Sequence, residues 1–69
     1  MKLGIYKHFK TKKQYEVIGI ARHSETLEEV VVYRALYGDR ELWVRPVSMF
    51  EELVEWEGKK VKRFEYINN

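Results

Sequence analysis

Sixty-nine residues, 45% apolar and 35% charged with a net charge of +2, leave room for one small domain over residues 1–69, with one small core and almost nothing else. The absence of cysteine excludes disulfide staples and thiolate metal sites, and no window approaches the roughly 18 apolar residues of a membrane span. Met1 to Lys7 lacks the apolar core of a signal peptide, so a cytoplasmic location is expected, with no membrane partner.

Taken in chain order, the first strand is expected over Ile5 to Phe9, followed by a charged hairpin loop, Lys10-Thr11-Lys12-Lys13, that contains no glycine. The second runs from Tyr15 to Ala21. Its alternation puts Tyr15, Val17, Gly19 and Ala21 on one face and Glu16, Ile18, Ile20 and Arg22 on the other. Both faces are partly apolar, as in a strongly curved strand, and Gly19 is the natural place for a bend or bulge. Ser24 to Glu28 is a short helical candidate, with Ser24 capping and Leu27 folding onto the core. Val30 to Tyr37 opens with three β-branched residues, poor helix and good strand material.

A turn at Tyr37 to Glu41 leads into a fourth strand, Leu42 to Arg45, which Pro46 ends. One helical or 3₁₀ turn is expected over Pro46 to Glu52, with Ser48 as N-cap and Glu51 three residues on. Glu57-Gly58-Lys59 reads as a tight turn between strands at Val54 to Glu57 and Lys60 to Tyr66. There is no internal repeat, linker or low-complexity segment. Five to six short strands with one or two helical turns fit a mostly β fold, a small antiparallel barrel of SH3-like size.

Several blocks resemble a known family in order. These are Gly4-Ile5-Tyr6-Lys7-His8-Phe9, Tyr15-Glu16-Val17, Ala21 to Glu28, Val31 to Gly38, Leu42-Trp43-Val44-Arg45-Pro46, Met49-Phe50 and Arg63-Phe64. Together they span nearly the whole chain and resemble the domain of unknown function 1653 family, short bacterial proteins. The resemblance implies an SH3-like barrel and no particular activity. One departure is visible, since members tend to carry glycine in the first hairpin where this chain has Thr11-Lys12-Lys13.

The polar run between the second and third strands is the one cluster with no evident folding role. Arg22, His23, Ser24 and Glu25 include a base, a hydroxyl and a carboxylate, but adjacent residues on an extended strand face opposite sides and no glycine-rich elbow follows. Catalysis is therefore not expected, and the same residues serve equally to hold a loop over the barrel, with Glu25 or Glu28 pairing Arg22, Arg34 or Arg45. His8 and His23 lie on different segments without a third ligand, so no metal or other cofactor is expected.

Aromatics interleaved with arginine supply a better argument for binding. Tyr15, Phe50 and Phe64 are assigned to the core, and Tyr37 and Trp43 flank a turn, where a ring is easily left exposed. Ring and guanidinium together make a platform for bases or a clamp for peptides. The expected function is a non-catalytic binding module that recognises a nucleic acid or a peptide through Arg22, His23, Ser24, Glu25, Tyr37, Trp43 and Arg45. The alternative is a structural or accessory protein that forms a homodimer, or docks on a larger enzyme, through an exposed strand edge.

Charge adds one further expectation. Residues 1–22 hold six Lys or Arg against one Glu, residues 23–57 three Arg against nine acids, and residues 58–69 four bases against one Glu. If the terminal strands lie side by side, Lys2, Lys7, Lys10, Lys12, Lys13, Lys59, Lys60, Lys62 and Arg63 can form one positive face suited to phosphate. Otherwise the lysines solvate edge strands.

Overall fold

Residues 1–69, described by a computed structural model, form seven strands and one helical turn. The elements are β1 (Gly4–His8), β2 (Gln14–Arg22), β3 (Glu29–Ala35), β4 (Leu42–Pro46), α1 (Val47–Phe50), β5 (Leu53–Trp56), β6 (Lys59–Lys62) and β7 (Phe64–Asn68). Every pairing is antiparallel, in a five-stranded sheet of order β4-β3-β2-β1-β7 and a separate β5-β6 ribbon. The mostly β antiparallel architecture is the expected one. The backbone ladder, however, does not close on itself, because β4 and β7 are sheet edges that pair with β3 and β1 alone. No helix is long and apolar enough to cross a membrane.

Strand count exceeds the expected five or six because the segment Lys60 to Tyr66 is not one strand. It breaks at Arg63, whose N–H donates to the Glu52 carbonyl at 3.0 Å and whose carbonyl accepts from the Phe9 N–H at 3.0 Å. Those two long-range bonds carry the chain from the ribbon into the main sheet and drop Phe64 into the core.

The core is small and mainly aromatic. Tyr6, Val17, Val31, Tyr33, Phe50 and Phe64 are buried together, with Tyr15, Val47 and Tyr66 packed against them. Phe50 and Phe64 stack with centroids 4.2 Å apart, and Tyr6, Tyr15 and Tyr33 meet this pair or each other mostly edge-on at 5.3 to 5.6 Å. Such pairs contribute about 0.5–1.5 kcal/mol each beyond area burial, which matters where only eight residues are buried.

Local details depart from expectation in three places. The bulge expected at Gly19 forms, since the β2 register shifts between Val17 and Gly19 with Ile18 as the extra residue, but it breaks the expected alternation, so Val17 and Ile20 share a face where simple alternation pairs Val17 with Gly19. Ser48 does not cap α1. Pro46 ends the strand at φ −52°, ψ 140° and the helical turn begins at once with Val47, which places Ser48 inside it. Ser24 to Glu28 is a hairpin turn without helix, and Leu27 sits at φ 64°, 61% exposed and off the core.

Candidate functional site

The Arg22 to Glu25 run is built into the β2–β3 hairpin. His23 N–H donates to the Glu28 carbonyl at 2.8 Å, and the Leu27 N–H returns to the His23 carbonyl at 2.9 Å. The His23 Nδ1 accepts from the backbone N–H groups of Glu25 (3.1 Å) and Thr26 (3.3 Å), and the Thr26 hydroxyl accepts from the Glu28 N–H at 3.2 Å. Arg22 Nη1 donates to the Leu27 carbonyl at 2.9 Å. With two backbone donors aimed at it, Nδ1 is the accepting nitrogen of the ring. His23 is thus a turn cap, and Ser24 and Glu25 are exposed on the turn it holds.

The β1–β2 hairpin repeats the bonds made by the histidine and threonine, without a counterpart of the Arg22 contact. His8 N–H donates to the Lys13 carbonyl, Lys12 N–H returns to the His8 carbonyl, and His8 Nδ1 accepts from Lys10 (3.1 Å) and Thr11 (3.4 Å). The Thr11 hydroxyl accepts from the Lys13 N–H at 3.3 Å. Lys12 at φ 65° matches Leu27 at φ 64°. So His8-Phe9-Lys10-Thr11-Lys12-Lys13 and His23-Ser24-Glu25-Thr26-Leu27-Glu28 are one turn used twice, His-x-x-Thr-x-x, a six-residue repeat that the reading of no internal repeat overlooked. Lys12 fills the left-handed position that a glycine would take at less cost. The expected pairings of Glu25 or Glu28 with Arg22, Arg34 or Arg45 do not form; the chain's single ion pair is Arg63–Glu52 at 2.7 Å.

Tyr37, Trp43 and Arg45 do come together, though away from Arg22. Trp43 lies opposite Tyr33 in the ladder and Arg22 opposite Glu29, four residues further along β3, or about 13 Å at the usual rise. With Tyr15 and Tyr33 they line a shallow depression of about 240 Å³. Arg45 Nε donates to the Tyr33 hydroxyl at 3.4 Å and its guanidinium lies over Phe64 at 5.7 Å. The hydroxyls of Tyr15 and Tyr37 share a 2.8 Å hydrogen bond. Burial, the bond to Tyr37 and the neighbouring phenols push the Tyr15 pKa up to about 12, so it stays a neutral phenol near pH 7. Lys13 Nζ already covers the Tyr37 ring at 4.5 Å.

A second cleft was not singled out by residue pattern. Lys7, Phe9, Lys12, Trp56, Val61, Lys62 and Glu65 line about 300 Å³ where β1, β7 and the ribbon meet. Phe9 and Trp56 form its wall edge to face at 5.4 Å, and Phe9 stacks on the His8 ring at 4.9 Å. The pairing of β1 with β7 brings the terminal segments side by side and Lys7 opposite Glu65. Six of the nine bases nonetheless divide among separate contacts. Lys7, Lys12 and Lys62 line the cleft, Lys2 and Lys13 lie over Tyr66 and Tyr37, and Arg63 is held by Glu52. The usable signal for this site was Lys7-His8-Phe9-Lys10, an aromatic framed by bases; Trp56, set between Glu55 and Glu57, carried none, because its partner Phe9 is 47 positions away. No group of three or more His, Cys, Asp or Glu side chains stands together.

Comparison with known proteins gives a family and no activity. Residues 4–66 match the family described as protein of unknown function, DUF1653. A crystal structure of a DUF1653 protein from Bordetella bronchiseptica is similar at a TM-score of 0.87 and 33% identity, over 97% of this chain and 87% of that one. Among curated proteins none matches.

Proposed function

We propose that this chain, which belongs to the DUF1653 family of proteins of unknown function, is a non-catalytic module that binds single-stranded nucleic acid in the Lys7–Phe9–Trp56–Lys62 cleft. The observation that carries the reading is an edge-to-face aromatic pair, Phe9 and Trp56, set among three lysines of which none has an ion-pair partner. A base stacks on the exposed indole, and Lys7, Lys12 and Lys62 neutralise the flanking phosphates. Stacking tolerates any base, and an unfixed lysine ammonium serves backbone charge better than sequence readout. His23 has its Nδ1 committed to two backbone donors, which argues against its use as a general base.

The test uses the chain's two tryptophans. Trp43→Phe leaves Trp56 as the sole tryptophan, its emission to be titrated selectively with short mixed-sequence RNA and single-stranded DNA at low and high salt. Quenching is expected, with log affinity falling against log salt at a slope of about −2, as for three phosphates on a single strand. Trp56→Ala, read by the anisotropy of a labelled strand, should weaken binding about 5- to 150-fold, the usual range for one stacked base. Unchanged Trp56 emission with every strand refutes the reading.

A further inference from the structure

β4 is a sheet edge of a particular kind. Leu42, Trp43 and Val44 are 54%, 50% and 64% exposed, and no lysine or bulge blunts them. The flanking charges are unpaired: neither Glu41 nor Arg45 makes an ion pair anywhere in the chain. Along the chain, Glu41-Leu42-Trp43-Val44-Arg45 runs acid, apolar, aromatic, apolar, base. A strand with that order is complementary in charge to its own antiparallel copy.

The hydrogen-bond phase agrees. The Ala35 N–H donates to the Glu41 carbonyl at 3.1 Å, so Glu41, and by alternation Trp43 and Arg45, bond inward to β3. Leu42 and Val44 therefore turn their N–H and C=O groups outward. A two-fold axis at Trp43 sets Leu42 of one copy opposite Val44 of the other as a bonded pair, and its mate does the same, giving four main-chain hydrogen bonds. The same register sets Glu41 opposite Arg45 twice and Trp43 opposite Trp43 as a close, non-bonded pair. Shifting the axis to Val44 is poorer, because Pro46 then faces Leu42 without an N–H to donate.

We propose that β4 is a self-association edge, joining two copies antiparallel about Trp43 into one continuous sheet. The nucleic-acid cleft lies across the sheet beside β1 and β7, so the dimer leaves two clefts open at its outer ends. One strand pair is small beside the usual 800 Å² per partner, which places the association at the weak end of specific interfaces.

Sedimentation equilibrium up to about 1 mM chain should show a reversible monomer–dimer equilibrium. Val44→Pro removes an outward donor and leaves the inner ladder intact, so it should stay folded by circular dichroism and sediment as a monomer. Glu41→Lys replaces two opposite-charge pairs by two like-charge pairs and should weaken association about tenfold. In this cysteine-free chain, Trp43→Cys places two thiols across the axis with Cα atoms about 4.5 Å apart, within disulfide reach, and should oxidise to a covalent dimer well ahead of Ile18→Cys. A wild-type monomer at every concentration, a dimer indifferent to Val44→Pro, or equal crosslinking of the two cysteine variants overturns the proposal. Trp56→Ala should leave the dimer unchanged, which separates this edge from the cleft.

Discussion

Replacing the two turn histidines separates capping from packing, because the hairpins share one hydrogen-bond pattern in different surroundings. His23 is exposed, and its ring makes no aromatic contact, so His23→Ala removes only the two bonds at Nδ1. By analogy with helix N-caps that costs about 1 kcal/mol. His8 has the same two bonds and also meets Phe9 at 4.9 Å and Phe64 edge-on at 5.3 Å. Aromatic pairs of that kind add about 0.5–1.5 kcal/mol, so His8→Ala should cost about 2 kcal/mol. At roughly 4–8 °C per kcal/mol for a domain of this size, His23→Ala should lower the melting temperature by about 4–8 °C and His8→Ala by about twice that. Asparagine is the discriminating replacement. Its Oδ1 occupies the place of Nδ1 and accepts the same two N–H groups, so His23→Asn should melt within about 2 °C of wild type. His8→Asn should recover the capping part of the loss and leave the aromatic part. Thermal melts by circular dichroism measure all four variants. Equal losses for His23→Asn and His23→Ala, or for His8→Ala and His23→Ala, would refute the assignment of the histidines as caps in unequal surroundings.

Three further outcomes follow from the same geometry. Burial, with Arg63, Arg45 and Lys10 close by, holds His8 below its ordinary pKa of 6.5, so the unfolded chain binds this proton more readily than the folded one. Stability from His8 is complete above pH 6.5 and is lost as pH falls through its folded pKa; urea midpoints between pH 8 and 5 should decline, and decline less in His8→Asn. Glu57 and Gly58, at φ 52° and 79°, make a two-residue turn of the primed type, so Glu57→Asn should add about 0.5–1 kcal/mol of stability, read as a higher urea midpoint. Gly4 sits at φ 136°, and a Cβ there meets the Asn68 carbonyl oxygen at 2.6 Å, so Gly4→Ala should destabilise by more than about 2 kcal/mol and lower amide exchange protection across β1 and β7.

What the sequence determined by itself is local. The β-branched run Val30-Val31-Val32 makes a strand in any plausible setting, Pro46 must end β4, and Glu57-Gly58 must turn, because each follows from the dihedral limits of a few adjacent residues. The core assignment of Phe50 and Phe64 was legible for a similar reason, since a chain this short has few other large apolar groups to bury. Arg22, His23, Ser24 and Glu25 looked like a site because their side chains are chemically capable. Only the hairpin geometry shows Nδ1 of His23 facing two backbone donors, and only alongside His8 does it become a turn used twice. The tertiary structure alone decided that Tyr37, Trp43 and Arg45 stand apart from that corner, and that Phe9 meets Trp56 among Lys7, Lys12 and Lys62. Those contacts join residues tens of positions apart, and they depend on the break at Arg63 and the pairing of β1 with β7, which no periodicity within a single strand encodes.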